Sequence, residues 1–201
     1  MIVTEIVELS KSRCKVYIDD AFAFVLYKGE LRLYHVMVGK EITTENYQEI
    51  LETVLPKRAK LRALNLLQKR AYTEKQLKDK LQEGAYPKTI VEDALTYVKS
   101  FGYINDLQYA LDYLNCYAER KARKKMEIDL FQKGISKEIV QEAFNRWEEE
   151  GTVQDEKAMI LKLLEKKNYN NECELGQKRR IYSFLLRKGY SAEAIQDAMK
   201  L

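Results

Sequence analysis

Apolar and polar positions follow two different periods along this chain. Up to about residue 42 the period is that of strands. Val16, Ile18, Phe22, Phe24 and Leu26 alternate or nearly alternate with small or polar partners, and Asp19-Asp20 interrupts them as a turn would. Ile2 to Leu9 supplies a first strand, and the run from Phe24 to Tyr34 predicts another reversal at Lys28-Gly29. The expected head, residues 1–43, is a small antiparallel sheet of three or four strands. A sheet of that size is not stable alone and should lean on a helix.

From Thr44 the period becomes helical. Tyr47, Ile50, Leu51, Val54 and Leu55 fall at helical spacing and predict a helix that ends before Pro56; the pattern then continues almost unbroken to Leu201. Thr73-x-x-Gln76 and Asn105-x-x-Gln108 have the spacing of capping boxes, and Pro87 suits a first helical turn. Gly84, Gly134 and Gly189 each follow a helical run, as a left-handed C-terminal cap requires. The same glycines mark a repeat. Apolar helical runs precede them, and Ile90-Val-Glu-Asp-Ala94, Ile139-Val-Gln-Glu-Ala143 and Ala194-Ile-Gln-Asp-Ala198 follow. Gly134-Ile-Ser136 and Gly189-Tyr-Ser191 even share a turn. Such spacing leaves room for three helices per unit, each unit covering its neighbour's apolar face. The expected architecture is mainly α: three tandem three-helix repeats in an elongated, curved stack behind a β-rich extension. The expected divisions are 1–43 for the extension, 44–104 for a linker helix and the first repeat, 105–152 for the second and 153–201 for the third. The head would cap the open end of the stack.

Composition narrows the function. The 201 residues are 46% apolar and 33% charged, which excludes a disordered tail protein. No apolar run approaches a bilayer span, and the acidic N-terminus does not suit a signal peptide, so a cytoplasmic protein without membrane contacts is expected. His35 is the single histidine, and Cys14, Cys116 and Cys173 lack metal spacing; mostly buried, reduced thiols are expected. With no glycine-rich phosphate loop either, no catalytic residue, metal or cofactor is assigned, and the chain does not look like an enzyme. The net charge of +4 is uneven: residues 1–55 hold 6 Lys/Arg against 9 Asp/Glu, and residues 56–201 hold 29 against 22. A basic body suits a polyanionic partner.

The stretch Phe101-Gly102-Tyr103-Ile104-Asn105-Asp106-Leu107-Gln108-Tyr109-Ala110 resembles the signature of the RecX family, regulators of the RecA recombinase. Ala63-Leu64 through Arg70, Thr73 to Leu81, Arg120, and Leu130 to Ile135 are similar to further family elements in the expected order, and the likeness covers about residues 56–200. Two positions depart from it. Ala122 and Met126 stand where the family often has Gly and Ile, and Ala122 favours an unbroken helix through Arg120–Lys125. Within the signature, Gly102 can cap one helix and Asn105 the next, with Asp106 in the first turn and Tyr103, Ile104, Tyr109 and Ala110 packing the corner. Alternatively, Asp106 or Tyr103 touches a partner. The resemblance implies a non-enzymatic negative modulator that binds the RecA–DNA filament and restrains ATPase and strand exchange in recombination and repair. A monomer contacting RecA and single- and double-stranded DNA is expected.

Basic clusters supply the candidate contact residues: Lys57, Arg58, Arg62 and Arg70; Arg120, Lys121, Arg123, Lys124 and Lys125; Lys178, Arg179 and Arg180; Arg187 and Lys188. On one helix Arg120 and Lys124 would share a face, as would Lys121 and Lys125, facing a phosphate track. A solvated helix face is the plain alternative for each cluster. Tyr109, Tyr113 and Tyr117 form a stripe that suits either a core seam or stacking on bases. Two other functions stay open: a helix-turn-helix transcriptional regulator and a protein-interaction solenoid without nucleic acid. The first is disfavoured because no recognition helix rich in Arg, Asn, Gln or Ser stands out.

Overall fold

The strand-period head folds as three antiparallel strands in the order β1-β2-β3: β1 (Val3–Glu8), β2 (Arg13–Ile18) and β3 (Ala21–Tyr27). These come from a computed structural model that describes residues 1–149, 151, 154–170 and 172–200. Strict alternation in β2 buries Cys14, Val16 and Ile18 on one face. Asp19 and Asp20, both at positive φ (48° and 64°), close the tight hairpin that pairs Ile18 with Ala21. The reversal expected at Lys28-Gly29 is absent. Lys28–Leu33 is instead a short helix, α1, whose Glu30 carboxylate accepts from the Tyr27 N–H. Six residues with apolar positions at 31 and 33 fit either period, so alternation alone did not decide between them.

The helix expected to stop before Pro56 runs through it. α2 (Thr44–Glu49) passes into a π-helical turn, Ile50–Val54, and then into α3 (Leu55–Leu67). The Leu55 N–H donates to the Ile50 carbonyl, one residue further back than in an α-helix. This wider turn lies just ahead of the proline ring, which would otherwise collide with the preceding turn. Then come α4 (Glu74–Gln82) and α5 (Lys88–Ser100). Thr73 forms the expected capping box with Gln76 and is itself fully buried. Val16, Phe24 and Leu26 of the sheet share one core with Leu55, Ala59 and Ala63 of α3, Leu77 and Leu81 of α4, and Ile90, Val91 and Ala94 of α5. The sheet therefore leans on helices, as its size requires.

The second half holds α6 (Asp106–Tyr117), α7 (Arg123–Gln132), α8 (Lys137–Glu149), α9 (Glu156–Lys166), α10 (Leu175–Arg187) and α11 (Ala192–Met199). α6–α8 enclose a core around Leu114, Met126, Leu130, Phe144 and Trp147, and α9–α11 a second around Ile160, Leu164, Leu185 and Ile195. By packing, the chain divides into two compact units, Met1–Asn105 and one beginning at Asp106. The expected boundary at 152 and 153 lies outside the described residues, as does Leu201, the expected end of the apolar pattern.

Helix ends follow one device repeatedly. After α5, α7 and α10 the N–H of the second residue beyond the cap returns to the carbonyl five residues back: Tyr103 to Val98, Ile135 to Leu130 and Tyr190 to Leu185. Gly102, Gly134 and Gly189 occupy the left-handed position of each turn. Gly84, expected in that role, does not: Ala85 takes the positive φ (57°) instead. Gly84 is required by space, since a Cβ there would lie 2.7 Å from the Tyr86 ring and 2.9 Å from the Leu81 carbonyl. Only Cys14 of the three free cysteines is buried, with Cys116 exposed and Cys173 between, so the expectation of mostly buried thiols does not hold.

Candidate nucleic-acid interface

The densest basic run does not lie on one helix. α6 ends at Tyr117 and α7 starts at Arg123, with a turn between them and Ala122 in extended conformation as the N-cap. Ala122 is fully buried and packs into the α9–α11 core, so tertiary packing overrides its helix preference. Arg120 and Lys121 therefore sit on the turn, and Lys124 and Lys125 on the helix that follows. The Gln154 side-chain amide donates to the carbonyls of Ala118 (2.5 Å) and Lys121 (2.6 Å), tying the turn down.

Beneath the turn lies an ionic cluster. Asp129 of α7 accepts from Lys121 Nζ, from Lys125 Nζ and from the Tyr113 hydroxyl, each at 2.7 Å. Lys121 Nζ also donates to the Tyr113 hydroxyl at 2.7 Å and rests 4.0 Å from the centre of the Tyr117 ring. Burial pushes the Asp129 carboxyl up, but the hydrogen bonds from Lys121, Lys125 and Tyr113 outweigh it and hold the group at about 2. Burial pushes the Tyr113 hydroxyl up to about 12, with Lys121 opposing and Asp129 adding to the effect. Burial pulls Lys121 down, yet its bonds to Asp129 and Tyr113 leave it above the ordinary lysine value. Tyr113 of the tyrosine stripe is buried in this cluster, while Tyr109 and Tyr117 are half-buried against the same core. Sequence reasoning missed Asp129 and Gln154. The spacing of Asp129 four residues after Lys125 was the available signal for the first; nothing local marked the second.

The charges are thus unequal in availability. Arg123 bonds Glu148, lies 3.4 Å from Glu127 and covers the Phe144 ring, so it is already engaged. Lys121 and Lys125 share Asp129. Arg120, Lys124, Arg187 and Lys188 are exposed and make no ion pair among the described residues. Folding brings the last two to the first two. Gly189, at φ +96°, sits so close to α7 that a Cβ would lie 3.0 Å from the Lys125 backbone nitrogen. That contact places Arg187 and Lys188 beside the α6–α7 turn. Arg120, Lys121, Lys125, Arg187 and Lys188 line a cleft of about 290 Å³ with Phe184 and Tyr190, and no acid among the described residues borders it. A neighbouring hollow of about 740 Å³, reached by Lys124 and bordered also by Glu127 and Glu156, shares Lys125 and Arg187 with it. Such a surface attracts phosphate and holds it by charge-assisted hydrogen bonds.

The remaining candidates lie elsewhere. Lys178, Arg179 and Arg180 follow the start of α10, the last two exposed. In the first unit Lys57 is exposed and Arg70 lies 4.1 Å over the Tyr72 ring. Arg58 is turned inward, donating to the Val25 carbonyl (2.9 Å) and Glu30 (2.5 Å), and Arg62 is half-buried. In the signature, Ile104 and Ala110 are buried, and Gly102 ends α5. Tyr103 does not pack the corner as expected; it is exposed and stacks on Phe101, 5.8 Å between ring centres. Its place follows the turn, which returns the Tyr103 N–H to Val98 and leaves the ring outside. Asn105 immediately precedes α6, and Asp106 and Tyr109 lie on it. No helix of the described residues is long and apolar enough to cross a membrane.

Comparison with known proteins places this architecture. Residues 59–97 match the model of the first three-helix domain of RecX, and residues 154–199 that of the third. The regulatory protein RecX of Caldanaerobacter subterraneus subsp. tengcongensis is 29% identical over 207 residues, covering all of both chains. That of Clostridium acetobutylicum is 27% identical, covering 94% of this chain and 90% of that protein. That of Listeria monocytogenes serotype 4a is 26% identical, covering 94% of this chain and 70% of that protein. Two crystal structures share the fold. A regulatory protein RecX has a TM-score of 0.65 at 24% identity, covering 99% of this chain and 98% of that one. RecX from Lactobacillus salivarius has a TM-score of 0.62 at 23% identity, covering 73% and 96%. On the two domain matches and these full-length relatives, the chain belongs to the RecX family of regulatory proteins.

Proposed function

We propose that this protein binds the RecA–DNA filament through the basic face around Arg120, Lys124, Arg187 and Lys188 and thereby restrains ATPase and strand exchange without catalysing a reaction of its own. The observation that carries the reading is the convergence of Arg120, Arg187 and Lys188, exposed and without an ion pair among the described residues, on one cleft in the second unit, with Lys124 on the adjoining hollow. Lys178, Arg179 and Arg180 extend the basic surface along α10, and Lys57 and Arg70 offer further phosphate contacts from the first unit. Single- and double-stranded DNA are both suitable partners, because phosphate contacts carry no sequence information. The protein acts as a cytoplasmic monomer in this reading, organised as the repeats 44–104, 105–152 and 153–201 behind the head.

A sequence-specific regulator is the weaker reading. A helix entering the major groove needs a basic or amide-rich face. The third helix of each trio instead carries acids: Glu92 and Asp93 in α5, Glu138, Glu142, Glu148 and Glu149 in α8, and Glu193 and Asp197 in α11. The test is the combined charge reversal R120E/K124E/R187E/K188E, assayed for inhibition of RecA ATPase on single-stranded DNA. The proposal expects at least a tenfold higher concentration for half-inhibition with helix content retained. Undiminished inhibition by the folded variant refutes it.

A further inference from the structure

A second basic hollow lies within the first unit, between the sheet and α3. It holds about 300 Å³ and is lined by Arg13, Arg58, Arg62 and Lys69, with Tyr27 and Tyr86 at its sides. Arg58 and Arg62 come from one face of α3, Lys69 from the turn just after it, and Arg13 stands across the sheet register from Tyr27. No acid among the described residues lines the hollow. Arg58 is balanced by Glu30, whereas Arg13, Arg62 and Lys69 make no ion pair among the described residues. Arg62 adds a sharper sign: its Nε is buried and has no hydrogen-bond partner among the described residues. Proteins rarely leave a buried guanidinium N–H unmatched, and three uncompensated cations repel one another across so small a space. An anion between them would relieve both costs.

We infer that this hollow is a binding site for a small ligand bearing a di- or triphosphate, separate from the basic cleft of the second unit. Guanidinium forks match phosphate oxygens in pairs, which favours an oligophosphate over a single carboxylate. The volume lies at the low end for small-molecule pockets, which fits a compact ligand better than a strand that must run onward.

Calorimetric titration of the full chain with inorganic pyrophosphate at low ionic strength tests the assignment, with R13Q, R62Q and K11Q as variants. Lys11 lies in the β1–β2 loop outside the hollow and controls for general attraction. The expected result is one saturable site in the unmodified protein, at least tenfold weaker in R13Q and in R62Q and unchanged in K11Q. Arg13 opens a strand, so R13Q decides the matter if R62Q does not fold. No saturable binding, equal weakening in K11Q, or unchanged affinity in R13Q overturns the proposal. Displacement of pyrophosphate from the unmodified protein by a short oligothymidylate, whose own direct titration is weakened in R13Q but not in K11Q, assigns the hollow to strand phosphate and overturns the small-ligand identity.

Discussion

Replacing Asp129 with asparagine removes the one negative charge shared by Lys121, Lys125 and the Tyr113 hydroxyl while keeping nearly the same shape. The cost follows from the carboxyl's displacement. A shift from the ordinary 3.8 to about 2 amounts to roughly 2.5 kcal/mol of stability at neutral pH. Side-chain exposure is 12% for Asp129 but 29% for Lys121 and 38% for Lys125. Solvent screening of the lysines reduces the figure to about 1–2 kcal/mol. The sign is fixed by the direction. The folded-state value is depressed, so the stabilisation is complete above the unfolded-state value near 4 and is lost as pH falls through about 2. Trp147, the single tryptophan, is buried between α6 and α8, with its Nε1 donating to Asn115 at 2.8 Å. Its fluorescence during urea unfolding therefore reports on this cluster. D129N should be less stable by about 1–2 kcal/mol at pH 7, and the gap should close between pH 4 and pH 2. A deficit that is absent at pH 7, or that stays constant across this range, refutes the ionic account.

Three further outcomes follow from the geometry. Gly189→Ala should cost more than Gly102→Ala, because both need positive φ but only Gly189 meets a neighbour, the Lys125 backbone; about 1 kcal/mol is expected for Gly102→Ala, and clearly more for Gly189→Ala, in chemical denaturation followed by circular dichroism. Thr73→Ala removes a fully buried cap and should cost about 1–2 kcal/mol in the same assay, whereas Thr73→Ser should keep most of it. Replacing Arg120 and Lys124 with glutamine should lower the salt dependence of DNA binding by about one logarithmic slope unit per lost phosphate contact, with no change in stability.

Much of the fold was legible in local pattern. Asp19-Asp20, the Thr73-x-x-Gln76 box and the glycines at 102, 134 and 189 act through their own turn or cap, so the chain announces them. Longer-range effects were not legible. Helix preference at Ala122 predicted continuity, but the methyl group is captured by the α9–α11 core and Gln154 holds the broken turn. Charge counting treated Arg58 and Arg123 like their neighbours, yet their carboxylate partners Glu30 and Glu148 lie 28 and 25 residues away. The meeting of Arg120 with Arg187 likewise depends on how α10 seats against α7. Which cations remain free is thus a property of the fold, and the basic runs alone did not separate them.

The proposed partner of these free cations is the RecA-coated strand. The most direct measurement compares binding to RecA-coated single strands, naked DNA and RecA alone across a salt series. The expected result is preference for the coated strand, affinity that falls as salt rises, and weakening by R120E/K124E/R187E/K188E. Preference for a particular naked duplex, or binding to RecA alone that salt and the charge reversals leave unchanged, would contradict it.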